Sequence, residues 1–302
     1  MPLVSAHQTL PDHLQRPLND GVALRQAGYR GRFAPTPSGP LHLGNLRTAL
    51  LSWLVARVEG GVWLLRLDDL DTPRIRPGAA DSALADLDWL GLHWDGPVFR
   101  QSERTGLYHS VLSHWRRQGT LFACRCSRRE LAQQPVYPGT CRTRQLSWGW
   151  EGQRLPSWRL KLEEGCRWSC GDVVVRRADG FIAYHLATAV DELTLGITEV
   201  VRGADLTPVC MAQQAVMAAL GEPAPNYRHV PVLCDATGQK LAKRDGSEGL
   251  GPWRVAGAQP ADVVGHLAAP LGLVPLGSSL TALELLQELR SQPGLLTQAL
   301  QS

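Results

Sequence analysis

Residues 30–50 read Arg-Gly-Arg-Phe-Ala-Pro-Thr-Pro-Ser-Gly-Pro-Leu-His-Leu-Gly-Asn-Leu-Arg-Thr-Ala-Leu. A short apolar strand ends at Phe33–Ala34. A loop stiffened by Pro35, Pro37 and Pro40 follows, and a helix begins near Gly44. Leu46, Ala49, Leu50, Trp53 and Leu54 recur at helical spacing and give that helix one apolar face. A strand, a tight loop and a helix start in succession make a place for an anion, because the first N–H groups of a helix have no partner within it. His42 and Gly44 stand at that entrance, and Gly44 lets a phosphate come close to the backbone. The simplest alternative is a proline-stiffened turn between a core strand and a core helix.

Working outward, Gly60-Gly61 breaks the chain and Val62–Leu67 forms a second strand, ending in Asp68-Asp69-Leu70-Asp71. Carboxylates at the end of a strand that follows a βα unit fall in the crevice where open α/β sheets bind ligands. The alternative is a polar turn that caps the next helix. Periodicity predicts helices over 77–92 and 102–118, the latter with Ser102 as N-cap and Gly119 as its stop. It predicts a strand over 121–126, a hairpin of 173–176 with 181–184, a helix running to Leu220, a buried strand over 229–234, and helices over 261–269 and 280–289.

The chain has 302 residues, 44% hydrophobic and 20% charged, the profile of an ordinary globular protein of about two domains. Residues 1–29 are polar and unpatterned, and are expected to form a disordered or loosely docked arm. They lack the apolar core of a signal peptide, and no run of apolar residues is long enough to span a membrane, so a cytoplasmic location is expected. Net charge is only +3, yet residues 101–145 hold eight arginines against Glu103 and Glu130. Such a stretch suits a polyanion such as RNA, or is simply an arginine-rich solvated surface. Of 31 basic residues only Lys161, Lys240 and Lys243 are lysines, and two of them fall in Lys240-Leu-Ala-Lys-Arg244. Lysine is a compact, mobile charge suited to a triphosphate.

Seven cysteines, an odd number, argue against a disulfide framework. Cys124, Cys126 and Cys141 form C-x-C-x14-C, three thiols that can supply three ligands of a tetrahedral zinc site or remain buried free thiols. By residue type, His109, His114 and His185 are candidates for the fourth ligand. Cys166 and Cys170 are a weaker rival pair and read as structural.

Arg32–Ala49 resembles the nucleotide-binding signature of class I aminoacyl-tRNA synthetases, in the glutamyl branch, with Asn45 in the fourth position of the HIGH-type tetrapeptide. The resemblance extends to Asp68-Asp69-Leu70-Asp71, to Tyr184, to Val201-Arg-Gly-Ala-Asp-Leu206 and to a KMSKS-type loop at Lys240–Arg244 in which Ala242 replaces the usual serine. It implies an α/β, Rossmann-type catalytic domain split into residues 30–99 and 182–244, with a zinc-bearing inserted subdomain at 100–181 and a short, stem-contact-like helical region at 245–302. It implies ATP and Mg²⁺, with His42, Gly44, Asn45, Lys240 and Lys243 as catalytic residues and His42, Gly44 and Lys243 against the nucleotide. Arg32, Phe33, Ala34, Pro35, Thr36, Asp68, Tyr184 and Arg202 would bind L-glutamate. Asp68 stands where that branch has a glutamate for the substrate's α-amino group, and Arg32 would read the side-chain carboxylate. Read without the resemblance, Arg202 would pair with Glu199 or Asp205 on the surface.

About 58 residues follow Arg244, too few for both a stem-contact region and a helical anticodon-binding part. This and the pattern Cys124-x-Cys126…Tyr137-Pro-Gly-Thr-Cys141 are similar to the glutamyl-Q tRNA(Asp) synthetase family. Membership would add Tyr137 to a single structural Zn²⁺. It would imply glutamate activation without tRNA and transfer to the queuosine base of tRNA(Asp), by a monomer with no membrane or obligate protein partner. The alternatives are a truncated synthetase charging tRNA(Glu), and a non-catalytic, zinc-stabilised RNA-binding paralogue.

Overall fold

The computed structural model describes residues 10–163, 170–230 and 249–300. In chain order its elements are α1 (Asp12–Ala27), β1 (Arg30–Phe33), α2 (Leu43–Val58), β2 (Val62–Leu67), α3 (Ala79–Trp89), β3 (Phe99–Arg100), α4 (Thr105–Arg117), β4 (Leu121–Cys124), α5 (Arg128–Leu131), β5 (Ser157–Leu160) and β6 (Val173–Arg176). They continue as α6 (Tyr184–Thr194), β7 (Glu199–Gly203), α7 (Cys210–Ala219), β8 (Asn226–Val230), α8 (Gly251–Val255), α9 (Pro260–Ala268), α10 (Ala282–Ser291) and α11 (Pro293–Ala299). Two compact units emerge. One takes Ala27–Arg100, Ile197–Thr207 and Asn226–Ser302; the other takes Met1–Gln26, Gln101–Gly196 and Pro208–Pro225.

The first unit is an open parallel sheet. β1 pairs with β2 in the register Arg30↔Val62 to Phe33↔Leu65, and β2 pairs with β3. β7 pairs with β8, from Glu199↔Asn226 to Gly203↔Val230. Thr198 joins the two halves: its N–H donates to the Arg30 carbonyl at 2.9 Å, and its hydroxyl accepts the Arg30 N–H at 2.8 Å. Parallel strands are covered on both faces, which is why β2 reads Val-Trp-Leu-Leu-Arg-Leu rather than alternating. Helix α2 covers them: Leu46, Ala49, Leu50, Leu51, Leu54 and Ala56 are fully buried. Each buried leucine contributes about 1.5–3 kcal/mol relative to exposure.

The single charge inside β2 is Arg66. It is almost fully buried, and its Nε and Nη2 donate to Asp68 Oδ1 and Oδ2 at 2.7 and 3.3 Å. A charge this deep persists only when paired and hydrogen-bonded. The Asp68 backbone N–H donates to the Pro35 carbonyl at 3.0 Å, and the Arg76 N–H to the Pro37 carbonyl at 3.0 Å. The proline loop after β1 is therefore strapped to the chain leaving β2.

The region after residue 245 is not an appendage. Val263, Val264, Leu267, Leu285, Leu286 and Leu289 of α9 and α10 belong to the same core as Leu50, Leu54 and Trp63. A Cβ at Gly265 would lie 1.8 Å from the Ser278 carbonyl oxygen, so only glycine admits that crossing. The expected stem-contact-like region is, in its described part, a wall of the sheet unit. It closes the face of α2 that would otherwise meet water.

The second unit holds an antiparallel sheet, β4–β5–β6, and helices α1, α4, α6 and α7. Here the expected N-terminal arm is corrected: residues 12–27 form α1, with Leu14, Leu18 and Gly21 buried. A Cβ on Gly21 would fall 2.0 Å from the Leu193 carbonyl oxygen at the end of α6, so α1 docks through a glycine. The expected inserted subdomain at 100–181 also changes outline, because residues 182–196 and 208–225 pack with it rather than with the sheet. Helix α4 begins at Thr105 after a 3-10 turn, so Ser102 is not its cap. The expected 173–184 hairpin shrinks to one bridge, Arg176↔Ile182, since Tyr184 already opens α6. The strand expected over 121–126 ends at Cys124. Of the strand expected over 229–234, residues 231–234 lie outside the described residues, as do Cys166, Lys240, Ala242 and Lys243.

One buried carboxylate ties this unit together. Asp191 of α6 has no exposure and accepts from Arg104 Nε at 2.7 Å, Gln101 Nε2 at 3.0 Å and the Tyr108 hydroxyl at 2.8 Å. Replacing Asp191 by Ala removes the buried acceptor shared by three donors, and is expected to cost about 3 kcal/mol or more, read as a lower urea midpoint. Asp68→Ala, which removes a buried carboxylate partner of Arg66, is expected to cost about 3 kcal/mol. An Arg66→Met/Asp68→Leu double variant should lose clearly less, and urea unfolding of the two proteins side by side checks that order.

Candidate active site and metal centre

Three strand ends of the sheet unit supply the candidate active site. From β1, Arg32 is 5% exposed, and its Nη1 donates to the Val201 carbonyl at 3.3 Å. Arg202, the next residue on β7, is 3% exposed. Its guanidinium carbon lies 4.6 Å from the centre of the Tyr227 ring, and its Nε is 3.5 Å from His229 Nε2 on the paired strand β8. Burial and the Arg202 charge both hold the His229 imidazole below its usual pKa, so His229 meets the guanidinium as a neutral ring. Glu199, one of the two surface partners considered for Arg202, pairs instead with Arg228 at 2.8 Å. Arg32 and Arg202 thus form two neighbouring, almost buried cations on adjacent strands, at the end of the sheet where open α/β folds take ligands. The third strand end, β2, contributes Asp68, whose carboxylate is held by Arg66 rather than standing alone.

The proline loop and the start of α2 complete this end of the sheet. His42 is the N-cap of α2. Its Nδ1 accepts the Asn45 N–H at 3.2 Å, and Asn45 Oδ1 accepts the His42 N–H at 3.4 Å, a reciprocal capping box. The capping box orients the imidazole, and the N–H groups of Leu43 and Gly44 have no partner within the helix. Gly44 and Thr36 are half-buried. Phe33 behaves differently from a ligand-facing side chain: it is 5% exposed and stacks on Trp63 with ring centres 6.3 Å apart, so it offers a ligand only its backbone. Pro35 is buried, and Ala34 is half-buried. Tyr184 belongs to the second unit, at the first turn of α6, and is 37% exposed.

Sequence reasoning passed over Arg66, Tyr227 and His229 as members of the site. An arginine in an otherwise apolar strand was the available signal for Arg66. Tyr227 and His229 become visible only through the β7–β8 register.

The second unit contains the candidate metal centre. The Sγ atoms of Cys124, Cys126 and Cys141 lie within 4.8 Å of one another, with Cys126 and Cys141 3.6 Å apart. The Tyr137 hydroxyl is 3.5 Å from Cys124 Sγ and accepts the Cys141 N–H at 2.8 Å. A tetrahedral zinc with Zn–S near 2.3 Å separates its sulfurs by about 3.8 Å. The thiol spacing fits one such ion, and the Tyr137 oxygen stands beside the cluster. None of the three candidate histidines belongs to it among the described residues.

Burial alone would raise the Cys124 thiol, but the Tyr137 hydrogen bond and the Arg159 charge outweigh it and bring the thiol down to about 7. Burial and the neighbouring thiols push Cys126 up instead. Arg159 stacks over the Tyr137 ring at 3.7 Å, and the Phe122 ring stacks with that of Tyr137 at a centre distance of 6.2 Å. Gly171, at φ +68°, leaves no room for a side chain, since a Cβ there would sit 2.7 Å from the Tyr137 N. Cys170, the residue before it, has its Sγ 3.6 Å from the Gly171 carbonyl oxygen and is not in the cluster.

Among the described residues no helix is long and apolar enough to cross a membrane. The chain is 61% identical to a glutamyl-Q tRNA(Asp) synthetase of Synechococcus sp. (strain CC9605), over 94% of this chain and 97% of the relative. It is 59% identical to one of Prochlorococcus marinus (strain MIT 9313), over 96% and 97%. A solved glutamate tRNA ligase of Elizabethkingia meningosepticum superposes with a TM-score of 0.70 at 26% identity, covering 86% of this chain and 64% of the ligase. Residues 29–137 and 159–255 match the family described as tRNA synthetases class I (E and Q), catalytic domain. The two matched blocks hold every strand of both sheets except part of β5, together with the site residues named above other than Cys141, and the chain belongs to that family.

Proposed function

We propose that this chain activates L-glutamate with ATP, without tRNA, and then attaches it to the queuosine base in the anticodon of tRNA(Asp). The observation that carries the reading is the conjunction at one end of the sheet: two buried arginines on adjacent strands and an open helix start capped by His42. A dicarboxylate presents its side-chain group to the Arg32 fork, and Arg202 adds a second positive charge beside it. Asp68, fixed by Arg66, receives the α-amino group, and Tyr184 is assigned to the amino acid by its sequence pattern alone. The α-carboxylate attacks the α-phosphate in line, the bond to the β-phosphate breaks, and pyrophosphate leaves; positioning and charge stabilisation supply the catalysis. His42, Gly44 and the first turn of α2 receive phosphate oxygens. Lys240 and Lys243 hold the departing pyrophosphate, a role that rests on their sequence pattern alone. Mg²⁺ bound with the nucleotide would offset part of its charge.

Cys124, Cys126, Tyr137 and Cys141 would hold one structural Zn²⁺. The ion would fix the short connection between β4 and the segment carrying Tyr137, where no large apolar core is available to do so.

The deciding experiment supplies labelled glutamate, ATP and purified tRNA(Asp), with and without queuosine, alongside tRNA(Glu). Label on queuosine-containing tRNA(Asp) alone is the expected result. Label on tRNA(Glu) would instead make the chain a minimal glutamyl-tRNA synthetase, and absence of glutamate-dependent pyrophosphate exchange would make it a binding protein. Elemental analysis of protein purified without chelator is expected to return about one zinc per chain. Cys141→Ser should lower that content and the thermal midpoint together; metal-free protein of full stability would refute the assignment.

A further inference from the structure

The loop that follows the candidate metal centre displays a tryptophan in water. Trp150 is 70% exposed, in a protein whose other large aromatic rings are mostly packed away. The loop beneath it is tightly built. One guanidinium, that of Arg125, donates to four of its carbonyls: Ser147 at 3.2 Å and Gly149 at 2.7 Å from Nη2, Glu151 at 3.4 Å and Arg154 at 3.3 Å from Nη1. Arg125 Nε also lies 2.9 Å from the Glu151 carboxylate. Glu151 and Arg154 exchange backbone hydrogen bonds at 3.2 Å, across a turn in which Gly152 and Gln153 have φ of +54° and +63°. Two successive positive φ values are those of a type I′ hairpin turn.

On the near side, Trp148 packs edge-on against Trp158 with ring centres 5.0 Å apart. Arg116 stacks over both rings, and Arg176 lies over Trp158. Arg125 is itself the residue between Cys124 and Cys126, so the thiol cluster, the guanidinium and the loop form one connected piece.

This arrangement fixes an indole outward before any partner arrives. The chemistry around it selects the partner. In sequence Trp150 is flanked by Gly149, Glu151, Gly152 and Gln153, and the nearby ring of Trp148 is already taken up by Trp158 and Arg116. The acidic member, Glu151, is spent on Arg125. Arg128, Arg129, Arg144 and Arg154 of the same unit are exposed, and residues 101–145 carry eight arginines against two acids. A flat π-face on a cationic surface is the composition of a platform for single-stranded nucleic acid, where the bases stack and the backbone is neutralised.

We infer that Trp150 is a stacking platform for an unpaired base of RNA, held ready by Arg125. The inference rests on the proposed tRNA substrate for the choice of RNA, but it is tested without catalysis. A fluorescently labelled stem-loop carrying the tRNA(Asp) anticodon sequence is titrated with the full chain, and a fully paired duplex of similar length serves as the control. Trp150→Ala is expected to weaken stem-loop binding about tenfold or more, Trp150→Phe by no more than about threefold, and neither should change duplex binding. Glutamate-dependent pyrophosphate exchange and the thermal midpoint of Trp150→Ala are expected to equal those of the unmodified chain. Equal stem-loop affinity for Trp150→Ala and the unmodified chain would overturn the inference. So would sedimentation showing that the unmodified chain self-associates and the variant does not, which would make Trp150 a protein contact. A chain that binds the stem-loop through Trp150 yet lacks exchange would refute the proposed reaction and leave the platform standing.

Discussion

Helix α2 starts where an imidazole nitrogen accepts the amide proton of the residue three places on, and the sheet unit is built around that helix. The cap satisfies the N–H groups of Asn45 and His42 and leaves those of Leu43 and Gly44 without a partner inside the helix. Because the helix then buries nearly all its apolar residues against β1, β2, β7, α9 and α10, its start is held in place by a large core rather than by the loop that precedes it. The cap also fixes chemistry. An Nδ1 that accepts an N–H carries no proton of its own, so the ring's own N–H is at Nε2.

Much of this was legible in the chain. The helix at residue 43 was written in the spacing of Leu46, Ala49, Leu50, Trp53 and Leu54, and the thiol cluster in the separation of Cys124, Cys126 and Cys141. What escaped was whatever depends on small residues and on register. Helix α1 was missed because it carries an internal proline and mostly polar residues, and its docking rests on Leu14, Leu18 and the space left by Gly21. No periodicity announces a glycine that fits over a carbonyl. The C-terminal helices were seen as helices, but their membership of the sheet core depends on Gly265 accepting the Ser278 carbonyl, a contact between residues 13 apart. At the candidate active site, Arg32 and Arg202 were legible as charges, whereas Tyr227 and His229 needed the β7–β8 pairing.

The two units handle buried charge in the same way. In the sheet unit a carboxylate two residues along the same strand line neutralises Arg66, and the pair sets the position of Asp68. In the second unit Asp191 gathers three donors from the turn and helix packed against α6. Asp172, fully buried, likewise pairs with Arg142 and accepts the Leu162 N–H at 3.0 Å. Breaking such pairs is costly, while the pairs themselves add little net stability. Their structural effect is to fix direction: each carboxylate admits its donors from one side, so the backbone around it has one arrangement.

At Gly249 a Cβ would come within 2.8 Å of the Leu41 carbonyl oxygen. Leu41 is the residue before the cap. The missing side chain of Gly249 therefore lets the C-terminal part of the sheet unit close against the doorstep of α2, and a single methyl group there would press on the backbone that leads into His42. The cap is thus guarded by a hydrogen atom more than two hundred residues away in the chain.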